Sequence, residues 1–187
     1  MCNTSNNIYG GKLFSGLISS SFSMEYSVCF KELIGNFLEG NGALIYAYDR
    51  KENKPSFDQF KKSLKLGVER GLKDNQIVIY CAEDCFLTGD VIDTNKIIAC
   101  LEKEIDNFKK NGFEKIVLYT TRDSFYMSRM TVEELYELHK KFKKITREKS
   151  ITIIIRYIID DFEENDFLDL ISLHDTFILE GPMGCNS

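Results

Sequence analysis

Ile151-Thr152-Ile153-Ile154-Ile155-Arg156-Tyr157 carries no charge until its sixth residue, and an acidic turn, a short helix around Phe167 to Leu173 and a second apolar segment, Thr176 to Leu179, follow it. An uncharged strand that leads through a helix into another uncharged strand is the repeating unit of a parallel sheet covered on both faces. Arg156 and Tyr157 fall at the carboxyl end of the first of these strands, the edge at which open α/β sheets bind their ligands.

The same rhythm extends upstream. Ala43 to Tyr48, Ile77 to Ala82 and Ile116 to Thr120 are three further apolar segments of strand length. A helix is predicted ahead of the first of them, because Phe22, Tyr26, Phe30, Leu33, Ile34 and Phe37 recur at helical spacing and Gly40-Asn41-Gly42 stops the run. Ser56 with Gln59 is a capping-box signature for a helix with Phe57, Phe60, Leu64, Val68 and Leu72 inward. Thr94 is expected to cap a helix that buries Ile97, Ile98, Leu101, Ile105 and Phe108 and ends at Asn111-Gly112. Thr131 with Glu134 opens another, with Leu135, Leu138, Phe142 and Ile145 inward. Its acids come first and Lys140, Lys141, Lys143, Lys144 and Arg147 come late, which matches the helix dipole. Five strands separated by crossover-length helices predict an α/β fold, a three-layer αβα sandwich on a mainly parallel sheet.

With 187 residues, 43% of them hydrophobic, the chain suffices for one substantial core. Residues 1–23, rich in Ser, Gly and Asn, are read as a partly ordered lead-in that packs through Leu13, Phe14, Leu17 and Ile18, and residues 24–187 as a single domain. No apolar run approaches the roughly 20 residues that span a bilayer, and no basic-then-apolar leader is present, so no membrane and a cytoplasmic location are expected. A net charge of −5 offers no field for direct nucleic-acid binding. The six cysteines, at positions 2, 29, 81, 85, 100 and 185, are scattered and read as reduced thiols. Cys81 and Cys85 lack a second pair, and with only His139 and His174 in the chain no metal site is expected.

The strand ends decide the chemistry. A phosphate-binding loop needs glycines and a lysine directly after a strand, whereas Tyr48-Asp49-Arg50-Lys51-Glu52-Asn53-Lys54 has no glycine and carries acids that would oppose a phosphate. No strand leads into G-x-G-x-x-G or G-x-S-x-G either. What does gather at the predicted strand ends is Asp49, Glu83, Asp84, Arg122, Asp123, Arg156 and Asp160, with Tyr157. Arg156 stands out, since a guanidinium ending an apolar strand needs a carboxylate, an anionic ligand or water. The long segment from Thr121 to Met130 is rich in aromatics and methionine and reads as a lid or a partner surface. His174, after Leu170, Ile171 and Leu173, has neither a nucleophile nor a metal partner beside it in sequence and reads first as a hydrogen-bonded structural residue.

In the order of these pieces the chain resembles the methanogen/methylotroph DcmR-type sensory (MEDS) domain. The similar segments are Gly42-Ala43-Leu44-Ile45-Tyr46-Ala47-Tyr48-Asp49, the run from Gly67 to Tyr80, Ile153-Ile154-Ile155-Arg156-Tyr157 with Asp160-Asp161-Phe162, and Leu170 to Gly181, together reaching over about three quarters of the chain. The resemblance implies a KaiC/RecA-like fold that lacks the phosphate-binding loop, and a non-catalytic sensory module that perceives small organic compounds. Ala43 stands where the family often has a histidine, and Ile155-Arg156 where it often has a cysteine, so ligand chemistry built on those two side chains is not implied here. His174 falls at the family's late histidine.

The expectation is therefore a sensor without catalytic residue, metal or cofactor, whose ligand contacts are Arg156, Tyr157, Arg122, Asp123, Asp49, Glu83 and His174. Arg156 would hold an anionic group, the carboxylates would fix polar groups and Tyr157 would form an apolar wall. Its partners would be a small-molecule ligand and a separate kinase or transcription regulator, and a homo-oligomer is compatible with the sequence. The alternatives are a protein-docking module that uses Thr121 to Met130, and a cysteine-dependent enzyme with Cys81 or Cys85 as nucleophile.

Overall fold

The computed structural model describes residues 13–19, 34–38, 40–48, 75–121, 129–158, 168–169, 171–181 and 184–186. The predicted helix over Ser56 to Leu72 lies outside these residues, as do Asp49, Arg122, Asp123 and Asp160. A seven-stranded sheet organises the rest, built from β1 (Phe14–Ser19), β2 (Gly42–Tyr48), β3 (Ile77–Cys81), β6 (Lys115–Thr121), β7 (Thr152–Ile158), β8 (Thr176–Gly181) and β9 (Gly184–Asn186) in the order β3-β2-β6-β7-β1-β8-β9. The first six strands in that order are mutually parallel, and β9 turns back antiparallel on β8. A two-stranded hairpin, β4 (Leu87–Thr88) with β5 (Val91–Ile92), stands apart and turns at Gly89, whose positive φ suits the residue.

Among the described residues, three helices with both ends defined accompany the sheet: α1 (Ala82–Phe86), α2 (Thr94–Lys110) and α3 (Val132–Lys149). The apolar stripes of α2 and α3 cover one face, where Ile97, Leu101, Ile105 and Phe108 of α2 and Leu135, Leu138, Phe142 and Ile145 of α3 join Ala43, Ile45, Ala47, Ile116, Leu118, Ile153, Ile155 and Tyr157 in one buried cluster. Alternation along the strands sends Leu44, Tyr46, Val117, Tyr119 and Ile154 to the other face, where they are equally buried. Burial on both sides is the three-layer arrangement expected from the uncharged strands.

Local chemistry accounts for the helix starts. Thr131 accepts a hydrogen bond from the Glu134 N–H and the Glu134 carboxylate accepts one from the Thr131 N–H, closing the capping box at 3.2 and 2.8 Å. The cap of α2 is Asp93 and not Thr94: one Asp93 oxygen accepts from the N–H groups of both Asn95 and Lys96 at 3.0 Å. An ionised carboxylate meets two orphan donors at once, which a threonine hydroxyl in the next position does less well. Residues 34–38 are helical, as the Phe22-to-Phe37 pattern predicts for their part of it. The buried Gln76 amide ties this turn to the sheet by donating to the carbonyls of Leu38 and Gly42.

One element departs from expectation. Phe14–Ser19, read as part of an irregular lead-in, is a strand at the middle of the sheet, paired in parallel with β7 on one side and β8 on the other. With two serines and a glycine among six residues it lacks the β-branched continuity of its neighbours. Tertiary packing fixes it. A Cβ on Gly16 would lie 2.5 Å from Cε1 of Phe177 and 3.5 Å from Cδ2 of His174, so the bare glycine lets both rings lie over the strand.

Candidate functional site

Two groups of side chains on the sheet invite a functional reading, and they lie on opposite faces. The first forms at the carboxyl ends of β3, β2, β6 and β7, four consecutive strands of the sheet. From β2 the chain goes on to β3 at the edge, and from β6 it goes the other way to β7, so β2 and β6 flank a switch point of the kind that opens a binding crevice. Arg156 lies here, opposite Thr121 in the β6–β7 register and Leu17 in the β1–β7 register. Its face of the sheet also carries Tyr46 and Tyr119, stacked with ring centroids 5.7 Å apart. Arg156 is only 4% exposed, a guanidinium held almost wholly out of water. Glu83, two residues past β3 in α1, is half-buried and accepts a hydrogen bond from the Cys81 thiol at 3.3 Å. Asp49 directly follows β2, and Arg122 and Asp123 directly follow β6.

The second group is in the interior under α3. Tyr157 follows Arg156 on β7 and therefore points to the other face, where its hydroxyl lies 3.0 Å from Nε2 of His174 and 3.4 Å from Nδ1 of His139. Tyr157, His139 and His174 are 0%, 1% and 8% exposed. His174 precedes β8 and enters from the end at which that strand begins, so it joins Tyr157 and not the group around Arg156. Phe14 stacks on the His174 ring with centroids 4.2 Å apart. Asp175 clamps β1 at the same place: its carboxylate accepts from the Phe14 N–H at 3.1 Å and pairs with Lys143 at 3.1 Å, its own N–H donates to the Phe14 carbonyl, and Lys143 also donates to the Leu173 carbonyl. Burial pushes the Asp175 carboxyl upward, but the Phe14 N–H and the charges of Lys143 and Arg147 outweigh it and hold the group below its ordinary value.

His139 was not among the residues singled out from sequence, although the signal was there. It stands between Leu138 and Phe142 and four residues after Leu135, on the buried stripe of α3, where a polar residue needs a partner. That both histidines of the chain would meet one tyrosine hydroxyl is a long-range fact with no local signature.

The Cys85 thiol has the opposite of activation. Cys81, Cys85 and Cys100 are half-buried thiols outside any disulfide. Burial pushes the Cys85 thiol up, and its neighbours Cys100, Asp84 and Cys81 push it further against a small opposing effect of Lys96. Among the described residues no group of three or more His, Cys, Asp and Glu side chains gathers in a way that could hold a metal ion, and no helix is long and apolar enough to cross a membrane. A cleft of about 360 Å³ lies between the β4–β5 hairpin and the start of α3, lined by Val91, Ile92, Arg129, Met130, Glu133 and Lys141 among others. Val91 is 67% exposed at its edge.

Comparison with known proteins follows the same lines. The family model of the methanogen/methylotroph DcmR sensory domain, MEDS, matches residues 25–175. No curated protein matches the chain. Among solved structures, the flagellar accessory protein FlaH from Methanocaldococcus jannaschii is similar with a TM-score of 0.59 at 14% identity, over 95% of this chain and 76% of that one. The ATPase domain of G40P is similar with a TM-score of 0.56 at 11% identity, over 90% of this chain and 69% of that one. At such identities the likeness shows the three-layer α/β fold alone. The sequence itself nowhere reads G-x-x-x-x-G-K-[ST], and the residues after β1, Ser20-Ser21-Phe22-Ser23, include neither glycine nor lysine.

Proposed function

The chain belongs to the methanogen/methylotroph DcmR sensory domain family, and from that membership we propose that it is the sensing module of a signalling system, binding a small organic molecule without turnover at the carboxyl ends of β3, β2, β6 and β7. The observation that carries the reading is the near-complete burial of Arg156 at the end of β7, beside the switch point between β2 and β6 and on the face of the stacked Tyr46 and Tyr119. A guanidinium presents a planar fork of donors that recognises a carboxylate or another oxyanion, and surroundings that exclude water strengthen such a contact. The buried tyrosine pair makes the interior on the same face aromatic and apolar, surroundings that suit a small carbon skeleton with an anionic head. Asp49, Glu83, Arg122 and Asp123 follow three of these four strands, β2, β3 and β6, in the sequence and would fix its remaining polar groups. The absence of any phosphate-loop motif in the sequence supports binding rather than nucleotide hydrolysis. Occupancy would be read out by a kinase or transcription regulator.

A thermal-shift screen of small organic acids and their neutral analogues tests this. A ligand present at a hundred times its dissociation constant adds about 2.7 kcal/mol to stability and moves the midpoint by several degrees. The expected outcome is a stabilising acid whose effect is lost in a folded Arg156→Gln variant. A stabilising compound that acts equally well on Arg156→Ala would remove Arg156 from the site, and cleavage of ATP by the purified chain would overturn the reading altogether.

A further inference from the structure

The interior cluster of Tyr157, His139 and His174 has a geometry that a structural hydrogen bond alone does not require. Three rings from three elements, β7, α3 and the lead-in to β8, stand nearly perpendicular to one another, with interplanar angles of 79°, 81° and 83° and centroids 6.0, 5.4 and 5.7 Å apart. One nitrogen of each imidazole has the phenol oxygen as a shared neighbour. The phenol oxygen is 3.0 Å from one imidazole nitrogen and 3.4 Å from the other. In a tetrahedral site with metal–ligand bonds of about 2.0–2.2 Å, neighbouring donors stand roughly 3.4 Å apart, so the His139 separation already matches that of two ligands around a metal, and the His174 contact, at hydrogen-bond distance, has to open by roughly a few tenths of an ångström to admit one.

We propose that Tyr157, His139 and His174 form a binding site for a borderline divalent cation, with zinc as its natural occupant. Imidazole and oxygen donors together suit such an ion, and three protein donors leave a fourth position open. On binding, the phenol gives up its proton to solvent and an oxygen–metal bond replaces the oxygen–hydrogen bond, while both imidazoles coordinate in the neutral form through the nitrogens that face the phenol. Two neutral imidazoles, a phenolate and a divalent ion leave one net positive charge, the same as in a site of three histidines and a hydroxide. His174, the most exposed of the three, is the side from which an ion enters. The site is separate from the sheet end around Arg156, and it stands or falls without the reading given to that end.

The whole chain, stripped with a chelator and returned to neutral pH, is titrated with Zn²⁺ and with Co²⁺ as a spectroscopic probe. The expected result is one equivalent retained through gel filtration, a higher thermal midpoint, and the ultraviolet difference band of an ionised phenol at a pH where free tyrosine is protonated. Tyr157→Phe abolishes the phenolate band, and His139→Gln and His174→Gln each weaken binding at least about tenfold, the scale on which even second-sphere partners matter. Near-ultraviolet circular dichroism establishes that each variant is folded, and the phenolate band of the unaltered chain decides the matter if one is not. Failure to retain metal, or metal retained with thiolate bands only and indifferent to Tyr157→Phe, would assign any binding to the cysteines and overturn the proposal.

Discussion

The Tyr157 hydroxyl and His174 Nε2, 17 residues apart in sequence, meet at 3.0 Å inside the core, and the same hydroxyl reaches His139 on α3. With one proton to give, the phenol donates to one imidazole and accepts from the other, so a single oxygen links β7, α3 and the entry to β8. Deleting it while keeping the ring removes a partner from two buried nitrogens. Tyr157→Phe is therefore expected to lower stability by about 1–3 kcal/mol in the metal-free chain, read as a lower urea midpoint at unchanged m-value. A neutral outcome would mean that the contacts are incidental to the fold.

Glycines at contact points separate packing from propensity. A Cβ at Gly42 would collide with the Phe37 ring and lie 2.6 Å from the Phe37 carbonyl oxygen, and a backbone atom cannot turn aside as a side chain can. Gly35, in the helical residues 34–38, has open space where its Cβ would be. Gly42→Ala should cost about 1–3 kcal/mol, while Gly35→Ala should gain about 0.5–1 kcal/mol from the helix preference of alanine. Denaturation of the two variants side by side checks the opposite signs.

What could be read from the sequence divides along the same line. The strands β2, β3, β6, β7 and β8 and the helices α2 and α3 announce themselves because periodicity, caps and charge order are local. β1 does not, since Phe14-Ser15-Gly16-Leu17-Ile18-Ser19 is held in the sheet by Phe177 and His174 lying over Gly16, contacts from more than 150 residues away. The period of two implies that Arg156 and Tyr157 face opposite layers, but nothing local says that Tyr157 and His174 meet. The grouping of Arg156 with the ends of β2, β3 and β6 follows from parallel strands, whereas the departure of His174 from that group follows from which end of β8 it precedes.

Acid should loosen the clamp on β1. The Asp175 carboxyl sits below its ordinary value because the Phe14 N–H and Lys143 favour the anion more than burial opposes it. A lowered folded-state pKa contributes stability that is fully present above the unfolded value of about 3.9 and is lost as pH falls through the folded one. Asp175→Asn is thus expected to be less stable than the parent at pH 7, by up to about 1 kcal/mol for so accessible a pair, with the gap closing below pH of about 4. Stability curves of the two proteins that stay parallel down to pH 2 would show that the charge of Asp175 does not contribute.

The placement of Cys85 bears on whether the chain could work as a thiol enzyme. A nucleophilic cysteine needs a thiolate at neutral pH, which neighbouring cations or a helix N-terminus supply, yet burial and the nearby Cys100, Asp84 and Cys81 all push the Cys85 thiol the other way, with only Lys96 opposing. Its alkylation should accordingly be several-fold slower than that of free cysteine at pH 7, and its rate should go on rising with pH beyond the point near 8.5 where free cysteine levels off. Peptide-level mass spectrometry after brief iodoacetamide pulses resolves Cys85 from the other five thiols. A rate at or above that of free cysteine, flat across neutral pH, would reveal an activating contact from elsewhere in the chain and would reopen covalent chemistry at the end of β3.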